Sequence, residues 1–146
     1  MISMSDVRAR IDANVAPLAG RVEEVADLAE LVARKALPQR SPMAYVIPLG
    51  FNAGASMDAT GAHMQVLDQA VGVVLYVEAS GDPKAKRALA TIDTLEAALL
   101  AGVCGWVPAG AIDAVRAVRG RLVSVTAGAV LYQIDLALQT QLRITT

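Results

Sequence analysis

The sequence is poor in the residues that crosslink or ligate small proteins, with one cysteine and one histidine in 146 residues. Cys104 has no partner for an internal disulfide, and together with His63 it cannot supply the four ligands of a structural zinc site within one chain. A chain of this length buries roughly two thirds of its unfolded surface, so it can fold without either device. We therefore expect a single domain over residues 1–146 that needs no metal and no cofactor.

Charge is scarce as well. Charged residues make up 18% of the chain, the net charge is −1, and there is no basic run. Sequence-independent affinity for DNA depends on Lys and Arg that neutralise phosphates, so the composition argues against a DNA-binding protein. The longest uncharged run, Ala97–Ile112, is 16 residues long and contains Pro108. It is shorter than the roughly 20 apolar residues that span a bilayer, and the first residues lack the apolar segment of a signal peptide, so no membrane partner is expected.

Apolar residues are abundant, but few of them are aromatic. Apolar residues form 55% of the chain, while Phe, Trp and Tyr together form 3%. Many of the other apolar residues are alanine. Such a composition leaves apolar surface outside the core. In a soluble protein this surface often contacts partner subunits.

The hydrophobic periodicity predicts an alternation of helices and strands. The order is helix, strand, helix, strand, strand, helix, strand, strand, with the first helix capped by Ser5, an edge strand over Arg21–Val25 and a helix after Asp27. A period of two begins at Met43, and Pro83 lies in the first turn of the last helix. This pattern predicts an α+β domain: a mostly antiparallel sheet of about five strands with helices packed on one face.

The segment from Phe51 to Met64 is rich in Gly and Ala and nearly free of charge. It is too long for a tight turn and too apolar for a solvated linker, so we expect the mobile tip of a long hairpin. Neighbouring molecules would order this tip, with Phe51 and Met57 as its apolar contacts.

The last strand has the strictest pattern in the chain. Its apolar residues alternate with polar ones, which predicts a half-buried strand with one helix-covered face and one polar face. Glutamine can hydrogen bond without the desolvation cost of a charge, so the polar face can be covered by a partner or stay in water. The residues expected at a subunit or tube interface are Phe51, Met57, Arg119, Arg121, Gln133, Asp135, Gln139 and Gln141.

The arginines before the last strand form the one local cluster of positive charge. A spacing of two or three makes Arg116, Arg119 and Arg121 only partly coplanar on a strand, which indicates surface or interface residues more than an anion site. We expect Arg119 or Arg121 to pair with Asp135 across a subunit boundary.

No catalytic pattern stands out. The chain has no Gly-x-Ser-x-Gly elbow, phosphate loop or His-Glu-x-x-His helix. His63 falls in the predicted hairpin loop, and Cys104 lies between Val103 and Gly105 with no cation nearby to activate it. A protein without enzymatic activity is the resulting expectation.

Four phrases of the sequence resemble the tail terminator-like, or tail completion, proteins of long-tailed bacteriophages. They are "MSDVRARIDANVAPLAGRVEEVADLAELVARKALPQRSPMAYVIPLG", "VGVVLYV", "GWVP" and "GRLVSVTAGAVLYQIDLALQTQL". The resemblance implies a structural virion protein that forms a ring, usually a hexamer, on the finished tail tube and stops further tube addition. It implies contacts with the tube protein and the head-side connector, DNA that only passes through the lumen, and a place at the head-proximal end of the tail.

The resemblance also favours a flexible, non-contractile tail assembled in the host cytoplasm. Two other classes of function stay open at this point. One is a small α+β ligand-binding or regulatory module that dimerises through its sheet. The other is an enzyme that uses His63 or Cys104.

Overall fold

The computed structural model describes residues 1–25, 40–81, 83–125 and 128–145. Within these residues the chain forms two α-helices, two short 3₁₀ turns and one five-stranded sheet. In chain order they are α1 Met4–Asn14, a 3₁₀ turn Ala16–Leu18, β1 Val22–Glu24, β2 Met43–Ala59, β3 Ala62–Glu78, a 3₁₀ turn Pro83–Ala85, α2 Lys86–Val103, β4 Arg116–Val125 and β5 Ala129–Thr145.

The first helix begins two residues earlier than the sequence predicts. Ser3, not Ser5, is the N-cap, and its side-chain oxygen accepts a hydrogen bond from the Asp6 amide at 3.2 Å. Val7 and Ile11 are buried on one face, at the four-residue spacing of an amphipathic helix. The helix predicted after Asp27 lies outside the described residues.

The sheet has the strand order β1-β2-β3-β5-β4. The α+β class is confirmed, with one difference: β1 pairs with β2 in parallel, so the sheet is mixed, while the other three pairings are antiparallel. A parallel pair needs a long crossover connection, and the chain between Glu24 and Met43 is long enough to make one. The predicted edge position of the first strand is confirmed.

The main core lies between the helices and one side of the sheet, here called the helix side. Alternate apolar residues of β3 and β5 point to it and are buried there, and Ile92, Leu95 and Leu99 of α2 pack against them. The opposite side of the sheet, here called the second side, carries a smaller buried cluster built from Met43, Tyr45 and Ile47 of β2 with Val74 and Tyr76 of β3. The sheet is therefore apolar on both sides near β1 and polar only farther along β5.

The two helices cross closely at Gly102. A Cβ on Gly102 would lie 2.8 Å from the Asn14 carbonyl oxygen and 2.9 Å from Val15 Cγ2. Arg10 Nε also donates a hydrogen bond to the Gly102 carbonyl at 2.9 Å. The end of α1 can therefore approach α2 only where α2 lacks a side chain.

Gly102→Ala should consequently destabilise the fold although alanine favours helices. Overpacking typically costs about 1–3 kcal/mol, whereas the helix propensity of alanine recovers at most about 1 kcal/mol. We expect a net loss of about 1–2 kcal/mol in the free energy of unfolding, measured by urea denaturation. Ala101→Ser, on the exposed neighbouring position, is the matched control and should change it by less than about 0.5 kcal/mol; an unchanged midpoint for Gly102→Ala would contradict the close crossing.

Candidate functional site

The most unusual feature of the structure is a three-stranded ribbon that extends beyond the helix-covered part of the sheet. It consists of residues 50–59 of β2, residues 62–69 of β3 and residues 139–145 of β5, and it is called the ribbon below. Strand pairing continues to Ala59 and Ala62 at the tip. The predicted long hairpin is confirmed, and its strands stay paired through most of Phe51–Met64, with a register shift between Ala53 and Ser56 and a tight turn at residues 60 and 61.

The ribbon presents apolar side chains to solvent. Phe51 is 50% exposed and Met57 is 70% exposed, and every residue from Pro48 to Gly61 is exposed. Because Phe51 pairs with Gln69 and Met57 with Met64, the two side chains lie on opposite sides of the sheet, Phe51 on the helix side and Met57 on the second side. Both faces of the ribbon thus carry apolar surface that the described part of the chain leaves uncovered.

A cluster of three polar side chains joins β2 and β3 near the tip. His63 Nδ1 is hydrogen bonded to Asp58 Oδ1, and His63 Nε2 lies 3.3 Å from Gln65 Oε1. The Gln65 amide nitrogen donates to the Gly54 carbonyl at 2.7 Å, which turns the amide oxygen towards the ring. The bond to Asp58 and then the bond to Gln65 raise the pKa of His63 above its usual 6.5.

The tip should therefore be held more tightly below neutral pH. The charged form of His63 is favoured in the folded state, so its contribution is complete below pH 6.5 and is lost as the pH rises through the higher folded pKa. An NMR titration should place the His63 pKa above 6.5, and Asp58→Asn should lower it. Asp113→Asn, which changes an exposed carboxylate in the segment before β4, should leave it unchanged; a His63 pKa that is insensitive to Asp58→Asn would contradict the assignment.

Three arginines lie on the second side of the sheet along β4. Arg119 and Arg121 are opposite Asp135 and Gln133, and Arg116 is opposite Ala137, so all three share one side. A register shift between Ala117 and Arg119 makes this possible because the extra residue restores the alternation. The prediction that these arginines are only partly coplanar is therefore wrong. The local sequence pattern does not indicate the bulge that aligns them.

Asp135 is the centre of a polar network within one chain. Its Oδ2 accepts a hydrogen bond from Arg119 Nε at 2.7 Å, and its Oδ1 accepts one from Gln133 Nε2 at 2.6 Å. Asp135 is 6% exposed and Gln133 is 2% exposed. The predicted arginine–Asp135 pair exists, but the structure forms it inside the subunit, so the expectation that Gln133 and Asp135 face a partner is corrected: they are buried by their own chain.

The other two polar residues of β5 lie in the ribbon. Gln139 is half-buried and donates to Asp68 Oδ1 at 2.9 Å, and Arg116 lies 3.8 Å from the same oxygen. Gln141 is exposed. Arg121 is exposed too and forms no ion pair within the described ranges. The outward-facing members of the predicted set are therefore Phe51, Met57, Arg119, Arg121 and Gln141.

The described residues hold little catalytic chemistry. Burial raises the pKa of the Cys104 thiol, which disfavours the nucleophilic thiolate, although the Ala117 amide partly offsets this effect. No group of three metal-ligating side chains comes together in the described ranges. Among the helices that the structure describes, none is long and apolar enough to cross a membrane.

Comparison with known proteins connects this architecture to phage tails. The family model for the phage tail terminator protein matches residues 1–146. The chain belongs to the phage tail terminator family. A tail terminator is a structural protein of the virion, and this membership favours a tail role over a dimerising ligand-binding module.

The fold is shared with a solved particle structure. A chain in the virion of a native gene transfer agent particle has a TM-score of 0.54 and 14% sequence identity, and the match covers 94% of the present chain and 93% of that chain. No curated protein matches the sequence. The assignment to the family therefore depends on the match to the family model, while the similarity to the gene transfer agent chain supports the fold alone.

Proposed function

We propose that this terminator forms a homo-hexameric ring on the head-proximal end of the tail tube, stops tube polymerisation and presents the surface that joins the head. Assembly takes place in the host cytoplasm. The observation that supports the proposal is the ribbon: a small domain extends a sheet beyond its own core, and no described residue covers the two faces near its tip or pairs with its β2 edge.

The described part of the chain leaves the β2 strand of this protruding sheet exposed from Gly50 to its tip. Its small residues, Ala53, Gly54, Ala55 and Ser56, allow another backbone to approach closely, and Phe51 and Met57 offer apolar anchors on both faces. An exposed apolar patch marks a protein interface more often than a free surface. We therefore assign the ribbon to contacts with neighbouring subunits and the tube.

The charge distribution suits a ring through which DNA passes. The net charge is −1, and two of the three arginines of β4 lie near carboxylates of their own chain, Arg119 beside Asp135 and Arg116 near Asp68. A surface neutralised in this way does not hold phosphates strongly, because such binding requires several free cations. DNA would contact the lumen only in passing.

The proposed interface uses the predicted residues in two ways. Phe51, Met57, Arg121 and Gln141 offer their side chains outward. Asp135 accepts a hydrogen bond from Arg119 and is itself held by a hydrogen bond from Gln133, while Gln139 donates to Asp68. Positioned arginines give orientation more than affinity, because an exposed ion pair contributes only about 0 to 1 kcal/mol.

The test is the length of tails made without the protein. We expect tube structures of uncontrolled length that do not join heads, and normal particles when the wild-type chain is supplied. His63→Ala and Cys104→Ser are the matched controls: both should restore normal tails, because neither residue is needed for chemistry in this role. Tails of normal length without the protein would overturn the proposal, and a folded His63→Ala protein that fails completely would indicate a site-based function.

A further inference from the structure

The sheet ends in two open strand edges of different composition. β4 is the last strand on one side, and residues 50–59 of β2 are open on the other because β1 covers only Ala44–Val46. Within the described ranges no other strand pairs with either edge. Open edges are rows of unpaired backbone groups, and proteins usually blunt them or pair them.

The strand directions allow the two edges to pair between copies. From β2 through β3 and β5 to β4 every pairing is antiparallel, so the first and last of these four strands run in opposite directions. Rotation about a ring axis keeps the angle of each strand to that axis. A β4 edge therefore meets the β2 edge of the next copy antiparallel, and the alternation continues from subunit to subunit.

Regular stretches of equal length face outward on both edges. In β4 the stretch Arg119–Leu122 lies between two register shifts, and in β2 the stretch Gly50–Ala53 lies between two others. The bulges limit how far either edge can slide, which favours one register over many. β4 pairs with the first half of β5, whereas the ribbon contains the second half of β5. A contact between the β4 edge of one copy and the β2 edge of the next is therefore staggered along the strands. Such a stagger tilts the strands, as in a closed barrel.

The side chains of the two stretches complement each other on both sides of the sheet. On the helix side, Leu122 is 50% exposed and Phe51 is 50% exposed. On the second side, Arg121 has no carboxylate partner in the described part of its own chain, while the partly exposed Asp68 lies next to Asn52 in the ribbon. The two edges therefore match in apolar surface on the helix side. On the second side, one edge offers the Arg121 guanidinium and the other the Asp68 carboxylate.

We infer that β4 of one subunit pairs antiparallel with residues 50–53 of β2 in the next copy, so that the sheet continues from subunit to subunit around the ring. In this register Leu122 lies beside Phe51 of the next copy, and Arg121 lies beside its Asn52 within reach of its Asp68. The contact joins two different surfaces of the chain, which is the kind that closes a ring. The inference rests on the proposed ring and names the surface that builds it.

Disulfide crosslinking in a Cys104→Ser background tests the pairing. Leu122→Cys combined with Phe51→Cys should crosslink neighbouring subunits of rings on tails. The products should be covalent oligomers of increasing size, of which the largest is the closed ring. Within one chain β3 and β5 separate the two positions by three strand spacings, roughly 14 Å, so a disulfide can form only between copies. Leu122→Cys with Asn52→Cys is the matched control: its side chains point to opposite sides of the sheet, and it should crosslink weakly.

Hydrogen exchange of the unmodified protein gives an independent measurement. Alternate amides within residues 119–122 and 50–53 should exchange at least tenfold more slowly in the ring than in the free subunit. Rings that cap tails without selective crosslinking, or without slower exchange in both stretches, would overturn this inference and leave the proposed function intact. A protein that forms no ring on tails would overturn both.

Discussion

A terminator with a shortened ribbon should remain folded and lose the ability to cap tails. Replacing Ser56–Gln65 by Asn-Gly joins the neighbouring positions Ala55 and Val66 through a two-residue turn, and it removes Met57 and the His63 cluster. The removed residues are mostly exposed, so the free energy of unfolding should change by no more than about 1 kcal/mol. Tail length measured by electron microscopy should become uncontrolled, with almost no complete particles.

The control keeps the ribbon at full length and changes only its turn. Replacing Thr60 and Gly61 by Asn-Gly supplies the same turn chemistry and should leave tails normal. The assignment of the ribbon fails if the shortened protein, shown to be folded by its melting curve, still gives tails of normal length that join heads.

Reversing the charge of Asp135 should destabilise the subunit itself. Asp135 is 6% exposed and binds both Arg119 and Gln133, so Asp135→Arg places an unpaired cation beside Arg119 in a buried position. Arg119 itself is largely exposed, so the cost comes from the uncompensated charge at the buried position 135, which is about 3–5 kcal/mol. For a domain of this size the melting temperature should fall by roughly 6–20 °C in a thermal scan.

A compensating charge reversal tests whether the loss of stability comes from the Arg119–Asp135 pair or from the surroundings of that pair. Arg119→Asp combined with Asp135→Arg restores opposite charges and should recover part of the lost stability, whereas Arg121→Asp with Asp135→Arg should recover less because Arg121 is opposite Gln133. An Asp135→Arg protein with an unchanged melting temperature would mean that the carboxylate faces a partner and not its own chain.

Apolar alternation in the sequence was sufficient to predict most of the sheet. The apolar residues Val71, Val73 and Leu75 alternate along the sequence and point to the helix side, and the apolar series of β5 does so as predicted. The parallel pairing of β1 could not be predicted, because local periodicity carries no information about which distant strand a segment joins. The hairpin was predicted, but strand pairing through Phe51–Met64 was not, because Gly, Ala and Asn have low strand propensity, which pairing with a long neighbouring strand overrides.

The candidate site was predictable in its residue types more than in its geometry. Phe51 and Met57 are exposed on the ribbon, where the sequence indicates apolar contacts. The burial of Gln133 and Asp135 could not be inferred, since alternation with apolar residues looks the same whether a polar side is covered or open. The bulge that aligns Arg116 with Arg119 and Arg121 depends on pairing with β5, which a local pattern does not show.

The most direct test of the account adds purified protein to growing tail tubes and images the products by electron microscopy. We predict that growth stops on addition and that ring-shaped density with six copies of the chain occupies one end of each tube, the end that later joins the head. Tubes that keep growing, or density spread along their length, would contradict the proposed capping function.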